Sequence, residues 1–376
     1  MSILVTGAKG FIGKNLVAEL KNQGNISINE CDADTTPAEL EAYCQVATFV
    51  YHLAGVNRPQ NNTEYMTGNS GFTAALLAML QKHNNNCPIV FASSAQAALS
   101  NPYGQSKKAA EDLFLAHSLA TDAKVMVYRL PNVFGKWCRP NYNSAVATFC
   151  HNIARSLPIT INDPSTELNL VYIDDVVAEF VRALHGQANI QNNYCVVPTT
   201  HHITLGALAD LLYSFRDSRV SLTVPNLSDA LTRKLYATYL SSLPASALCY
   251  PLKMNSDDRG SFTEFVRTVG QGQFSVNITK PGITKGNHWH HTKHEKFMVV
   301  SGSGIIRLRV VGTDAVTSCH VSGDSLRVVE IPPGYTHNIE NLGECDLVTL
   351  MWASEPFDKD RPDTCLLYTS PSPRDS

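Results

Sequence analysis

The chain has 376 residues, more than one ordinary domain holds, so two domains are expected. Apolar residues make up 44% and charged residues 17%, as in a globular protein, and a formal net charge of −3 gives no electrostatic case for nucleic acid or an anionic membrane. No apolar run approaches the ~20 residues needed to span a bilayer, and no secretory leader pattern is present. The ten cysteines are scattered without a C-x-x-C pair, which points to reduced thiols in a cytoplasmic protein.

Ile3-Leu4-Val5 reads as a short apolar strand, followed at once by TGAKGFIG and the helical-looking KNLVAELKNQG. Gly7, Gly10 and Gly13 let the backbone turn tightly and approach a pyrophosphate at a helix N-terminus. The spacing is G-x2-G-x2-G, not the G-x-G-x-x-G of the general dinucleotide fingerprint. Two more apolar strands follow: FVYHLAG, ending in small residues that leave room for a cofactor, and IVFASSAQA, ending in hydroxyls at Ser93 and Ser94. Tyr103-Gly-Gln-Ser-Lys107 then heads a helical run. At i and i+4, Tyr103 and Lys107 lie on one helix face, and the ammonium is expected to favour the phenolate. Ser94 could hold a substrate oxygen. Asn69 reads as structural, and Asp174 and Asp175 as a helix cap.

In this order the set resembles the extended short-chain dehydrogenase/reductase family, over roughly residues 1–243, with YRLPNVFG and LVYIDDVV as further landmarks. The resemblance implies an α/β Rossmann domain with a small substrate lobe. Tyr103 becomes the catalytic acid, assisted by Lys107 and Ser94. The cofactor-binding residues become Gly7, Gly10, Phe11, Ile12, Gly13, Asp32, Leu53, Ala54 and Gly55, with Tyr103 and Lys107; Arg58 and Asn132 fall on the substrate side. After the second strand come Asp32, Ala33 and Asp34 without an arginine, which favours NADH. The resemblance favours NADPH, with Lys9, Lys14 or Arg58 to neutralise a 2′-phosphate. NADPH is retained, with NADH as the alternative.

The helix-rich stretch from His202 to Leu243 reads as the small lobe, packed by Leu208, Leu211, Leu212, Leu235 and Leu240. Residues 244–252 read as a linker. From 253 to 364, apolar residues alternate in FSVNI, IIRLRVV, LRVVEI and LVTLMW, as in antiparallel strands. Within this region His288 and His290 are two apart and so face one side of a strand. Glu295 and, after a Pro-Gly turn, His337 complete a set of three imidazoles and a carboxylate suited to zinc, iron or nickel, zinc first.

G-x5-H-x-H-x4-E-x6-G over Gly282–Gly302 and P-x-G-x2-H-x3-N over Pro332–Asn341 resemble the two cupin motifs, although Leu326 stands where the second motif usually opens with glycine. An all-β cupin barrel is implied, with the metal either acting on substrate or only ordering the pocket. D-x-R-G-x-F-x-E from Asp258 to Glu264 is similar to the opening of sugar-nucleotide 3,5-epimerase cupins, which gives Arg259 a diphosphate-binding reading beside a salt-bridge one. Residues 365–376, CLLYTSPSPRDS, look non-native and are expected to be disordered.

Taken together, HLAGVNRP, NPYGQSK, FGKWCRPNYNS, KPGITKGNHWHHTKHEKF and GYTHNIENLG resemble bifunctional capsular-polysaccharide enzymes that join an extended reductase to a cupin. That implies C3 epimerisation of a UDP-2-acetamido-2,6-dideoxy-4-hexulose by the cupin, then reduction of its C4 ketone, on the route to UDP-N-acetyl-L-fucosamine. His291, His294 and Lys285 are candidates for the unligated base. A homodimer is implied, without nucleic-acid or membrane partners. Two alternatives are a monofunctional 4-reductase or 4-epimerase whose cupin only dimerises the chain, and a non-catalytic redox or sugar sensor.

Overall fold

The computed structural model describes residues 1–366 except 25, 60, 269–271, 312, 357 and 359–362. The chain divides into two compact units, one of residues 1–213 with 230–245, the other of 214–229 with the described residues from 246 onward. The sequence-predicted tail from 367 lies outside the described residues. No helix among them is long and apolar enough to cross a membrane.

In the first unit, strands β1 (Ser2–Thr6), β2 (Ser27–Cys31), β3 (Phe49–His52), β4 (Ile89–Ser94) and β5 (Val125–Leu130) pair in parallel in the order β2-β1-β3-β4-β5. Helices α1 (Phe11–Gln23), α2 (Pro37–Val46), α3 (Thr63–Tyr65), α4 (Phe72–Lys82) and α5 (Pro102–Thr121) connect them. Successive side chains on a strand point to opposite faces, which is why the strands read as unbroken apolar runs. Ile3, Val5, Tyr51, Val90 and Tyr128 enter one core, with Leu16 and Leu20 of α1. Leu4, Val50, Ile89 and Phe91 enter the other, with Leu40 of α2, Leu76 of α4 and Phe114 of α5. Local chemistry starts the helices: Thr36 and Glu39 form a capping box with Pro37 at the first turn, and Asn101 caps α5 through the Gly104 N–H.

After β5 come β6 (Asn132–Phe134), α6 (Ala145–Ile153), β7 (Glu167–Tyr172), α7 (Ile173–Leu184), the short β8 (Ile190–Gln191) and β9 (Tyr194–Cys195), then β10 (His201–Thr204), α8 (Leu205–Ser221), β11 (Thr223–Val224) and α9 (Ala230–Ser241). β9 and β8 extend the main sheet beyond β5, while β10, β7 and β6 form a separate three-stranded sheet. Asp174 and Asp175 lie in the first turn of α7, two and three residues past the cap position, which Tyr172 holds instead of the predicted aspartates; Asp175 pairs with Lys234 at 2.6 Å and Asp174 with Lys136. Leu240 of the predicted lobe core is 38% exposed, whereas Leu208, Leu212 and Leu235 are fully buried.

Glu111 of α5 is buried and accepts from Ser93 Oγ at 2.6 Å and from Arg129 at 2.9 and 2.6 Å. Glu111→Ala strands both donors. A loss of about 3 kcal/mol in thermal or denaturant unfolding is expected, toward the low end for a broken buried pair because Arg129 keeps some contact with water. A loss below about 1 kcal/mol would show that the pair is solvated and inert.

The second unit is all-β. Its strands are β12 (Met254–Asp257), β13 (Gly260–Thr268), β14 (Gly272–Thr279), β15 (Thr284–Trp289), β16 (Glu295–Ser301), β17 (Ser303–Val310), β18 (Val316–Ser322), β19 (Val328–Ile331), β20 (Tyr335–Asn341), β21 (Leu347–Ala353) and β22 (Cys365–Leu366). One sheet runs β11-β13-β14-β21-β16-β19, with β12 beside β13, and the other β18-β17-β20-β15-β22. Phe297, Val299, Ile306, Leu308, Val329 and Ile339 pack its core. On β14 it is the polar set that is buried: Gln273, Ser275, Asn277 and Thr279, while Phe274, Val276 and Ile278 are only half-buried. Lys285 of β15 reaches Asn277 Oδ1 of the opposite sheet at 3.0 Å, so this polar face lines the barrel interior. Cys365 and Leu366, assigned by sequence to the tail, pair with β15 instead.

Candidate functional sites

The first site lies where the strand order reverses, at the carboxyl ends of the neighbouring parallel strands β1 and β3, the position where such sheets bind ligands. Gly7 follows β1 with φ +69°, and a Cβ there would stand 2.8 Å from the Ala54 backbone, so the two loops touch only because Gly7 has no side chain. Gly10 caps α1 without a side-chain hydrogen bond to the first turn, its own N–H bonding Gly7 O at 3.0 Å, so no side chain fills the helix N-terminus that would face a phosphate. Asp32 takes the Lys9 backbone N–H at 2.8 Å and the Ala33 N–H at 2.9 Å, pinning the glycine loop to the end of β2; Lys9 pairs with Asp34.

Ser94 ends β4, and Tyr103 and Lys107 lie on the first two turns of α5. Tyr103 packs beside Tyr65, ring centres 5.7 Å apart. Burial pushes the Tyr103 phenol up to about 12; the Ser94 hydroxyl opposes this, and the nearby Tyr65 and Tyr142 hydroxyls add to it. The expected phenolate is therefore not favoured. Lys107 Nζ donates to the Ala92 carbonyl at 3.1 Å and is fully buried, which lowers it to about 8 against the pull of Glu111. It reaches into the gap at Gly55, where a Cβ would sit 3.1 Å from Nζ.

The direction suits reduction, because a protonated phenol can give its proton to an alkoxide. Lys107 carries its charge below about pH 8 and loses it above. The reductive kcat/KM should fall with an alkaline limb near that value. A profile flat to about pH 9 would remove Lys107 from the reaction.

Asn69 sits in a π-helical turn (Met66–Gly71), and its side chain bonds Val56 N–H, Val56 O and Ser106 Oγ, bracing α5 against the loop after β3. Tyr65 lies outside every motif, and only the fold places it beside Tyr103. Arg58 is exposed, and Asn132 opens β6 with its amide on Asn169 O at 3.3 Å.

The second site is within the barrel. Antiparallel β15 and β20 set His288 opposite His337, with Asn287 as an extra residue at a β-bulge. His290 follows β15 and Glu295 opens β16. One donor atom from each of His288, His290, Glu295 and His337 lies within 4.8 Å of all the others. Glu295 Oε2 is 3.4 Å from His290 Nε2 and 3.2 Å from His337 Nε2. Ligands about 2.1 Å from a tetrahedral ion stand about 3.4 Å apart, so the spacing fits a divalent metal. His290 Nε2 and Glu295 Oε2 are also buried without a well-directed hydrogen bond, as atoms meant for an ion are. Burial opposes the Glu295 charge, but the two imidazoles hold its carboxyl far below the usual range.

Lys285 donates to Asn277 Oδ1 at 3.0 Å and Ile278 O at 2.8 Å. His291 and His294 are exposed, stacked edge-on near Trp289 and Trp352. Arg259 pairs with Asp257 at 2.6 Å, its salt-bridge reading. Asp363, which no motif marked, accepts the N–H groups of residues 291–293.

The NAD dependent epimerase/dehydratase family model matches residues 3–196, and the polysaccharide biosynthesis C-terminal domain model matches 255–365. The chain belongs to the NAD-dependent epimerase/dehydratase family and carries that C-terminal domain. It is 44% identical over 97% of its length, and 98% of the relative's, to the UDP-2-acetamido-2,6-beta-L-arabino-hexul-4-ose reductase of Pseudomonas aeruginosa. It matches the capsular polysaccharide assembling protein CapF of Staphylococcus aureus with 51% identity and a TM-score of 0.93, covering 98% of this chain and all of that one. A UDP-glucuronic acid 4-epimerase of Bacillus cereus, solved with NAD, shares the fold at 20% identity, with a TM-score of 0.55 over 64% of this chain and 98% of that one. The motif-based resemblance to capsular epimerase–reductases is confirmed.

Proposed function

We propose that the chain is a two-site nucleotide-sugar enzyme: its barrel inverts C3 of a UDP-2-acetamido-2,6-dideoxy-4-hexulose, and its Rossmann unit reduces the C4 ketone. The observation that carries this is one chain holding both a Ser94–Tyr103–Lys107 set at the sheet's switch point and a four-donor cluster in a polar barrel. The 44% identity to an arabino-hexul-4-ose reductase supports the substrate class.

Nicotinamide supplies the hydride, and a divalent ion held by His288, His290, Glu295 and His337, zinc by its donor set, supplies positive charge. Around them the chain's own groups move protons and fix orientation. The C3 proton is acidified by the adjacent ketone, so its removal and return on the other face need an oxyanion stabiliser. By strand register Lys285 shares the inward face with His288, and its ammonium suits that role better than a base's. In the other unit Ser94 orients the ketone oxygen, Lys107 keeps positive charge beside it, and Tyr103 Oη gives its proton as the C4–H bond forms.

NADPH is our choice of coenzyme, supported by Asp32 being taken up by main-chain N–H groups. A higher kcat/KM for NADH would reverse it. Tyr103, Lys107, Ser94, Arg58, Asn132 and Arg259 are assigned to substrate and cofactor on the motif positions above. We take the assembly to be a homodimer, as cupin barrels commonly pair, and sedimentation at micromolar protein tests it.

The decisive assay gives the 4-keto substrate in D2O and follows nicotinamide oxidation together with deuterium at C3. Oxidation with uptake at C3 supports the two-site reading. Oxidation of an unexchanged sugar would leave the barrel a dimerisation element.

A further inference from the structure

The segment after the last long strand is tied to the donor cluster at several points. β22 pairs with β15 so that Leu366 lies opposite His288 and Cys365 opposite Trp289. Just before β22, Asp363 sets its carboxylate across the turn that joins β15 to β16. Oδ1 accepts the His291 N–H at 2.8 Å; Oδ2 accepts those of Thr292 at 2.9 Å and Lys293 at 2.8 Å, and the Thr292 hydroxyl at 3.1 Å. Three consecutive N–H groups closing on one anion form a nest, a rigid unit that holds its turn in one shape. The backbone carbonyl of Asp363 meets His290 Nδ1. A carbonyl only accepts, so Nδ1 carries the proton, which makes Nε2, 3.4 Å from Glu295 Oε2, the ring nitrogen available to a metal ion between them.

The turn so held is the one that connects two donors, His290 at its start and Glu295 at its end. Its shape sets how far apart they stand. We infer that Asp363 is a positioning residue for the barrel's metal site: its carboxylate fixes the 291–293 turn and its carbonyl fixes the ring orientation and tautomer of His290. This rests on the metal reading above. Groups that orient ligands from behind tune affinity without touching the ion, and losing one typically weakens binding about ten- to a hundredfold.

The test uses the full chain, stripped by chelator, as wild type, Asp363→Ala, Asp363→Asn and, as a surface-acid control, Asp346→Asn, whose carboxylate only pairs with exposed Lys280 at 2.9 Å. Cobalt(II) is titrated by its d–d absorption, zinc by competition with a chromophoric chelator, and thermal unfolding of each metal-free protein is recorded. Asp363→Ala should weaken both ions about ten- to a hundredfold and change the cobalt spectrum, with Asp363→Asn between it and wild type. Asp346→Asn should match wild type. If Asp363→Ala does not fold, Asp363→Asn alone decides. Folded variants that bind like wild type, with the same spectrum, overturn the inference and leave the metal reading standing. A wild type that binds neither ion overturns both.

Discussion

Tyr103→Phe is expected to lower kcat for nicotinamide oxidation by about a hundred- to ten-thousandfold, the range for losing a positioned general acid. The mutation removes one oxygen and leaves the ring against Tyr65, so the coenzyme pocket should persist and coenzyme Kd should change little. Deuterium uptake at C3 should continue at the wild-type rate, because it belongs to the barrel. Retention of more than about a tenth of the reductive rate would mean that another group, Ser94 or Tyr142 being nearest in chemistry, delivers the proton. The measurement is a single-turnover rate with saturating coenzyme, so that product release does not hide the chemical step.

Glu295→Gln should do the reverse. Its Oε2 faces both His290 and His337, and replacing the charge by an amide puts a neutral or donor atom where the cluster needs an anion. Metal content should drop below one ion per chain, and C3 exchange should fall about a hundred- to a thousandfold, as when an electrostatic stabiliser is removed. Reduction of an already epimerised 4-ketone should be unaffected. Metal loss with undiminished exchange would make the ion a pin for the barrel and not part of the reaction. The paired outcomes of the two variants separate the sites more firmly than either alone.

Much of both sites was legible because their residues are close in sequence and carry demanding spacings. The glycine turn at Gly7–Gly13, the hydroxyl at Ser94 and the Tyr103–Lys107 step each depend on one strand end or helix turn, and local geometry places them. His288, His290 and Glu295 fall within eight positions. What could not be read was the sign of a local field. The ammonium of Lys107 suggested an acidified tyrosine, but burial dominates at Tyr103, and the phenol rises to about 12. Similarly, alternation on β14 suggested an ordinary barrel strand, yet its buried face is Gln273, Ser275, Asn277 and Thr279. A strand's period is the same whichever face is turned inward.

The amino-acid sequence by itself marked the kind of unit each half forms, through periodicity, and picked out the family and the clustered His288, His290, Glu295 and His337 through the resemblance of its motifs. Tertiary structure alone decided which distant groups support them: Asn69 bonding Ser106 of α5, Lys285 reaching Asn277 across two sheets, and Asp363 closing the 291–293 turn from some seventy residues away. Such contacts join positions unrelated in sequence, and their value comes from burial, which strengthens each interaction and is set only when the whole chain has packed.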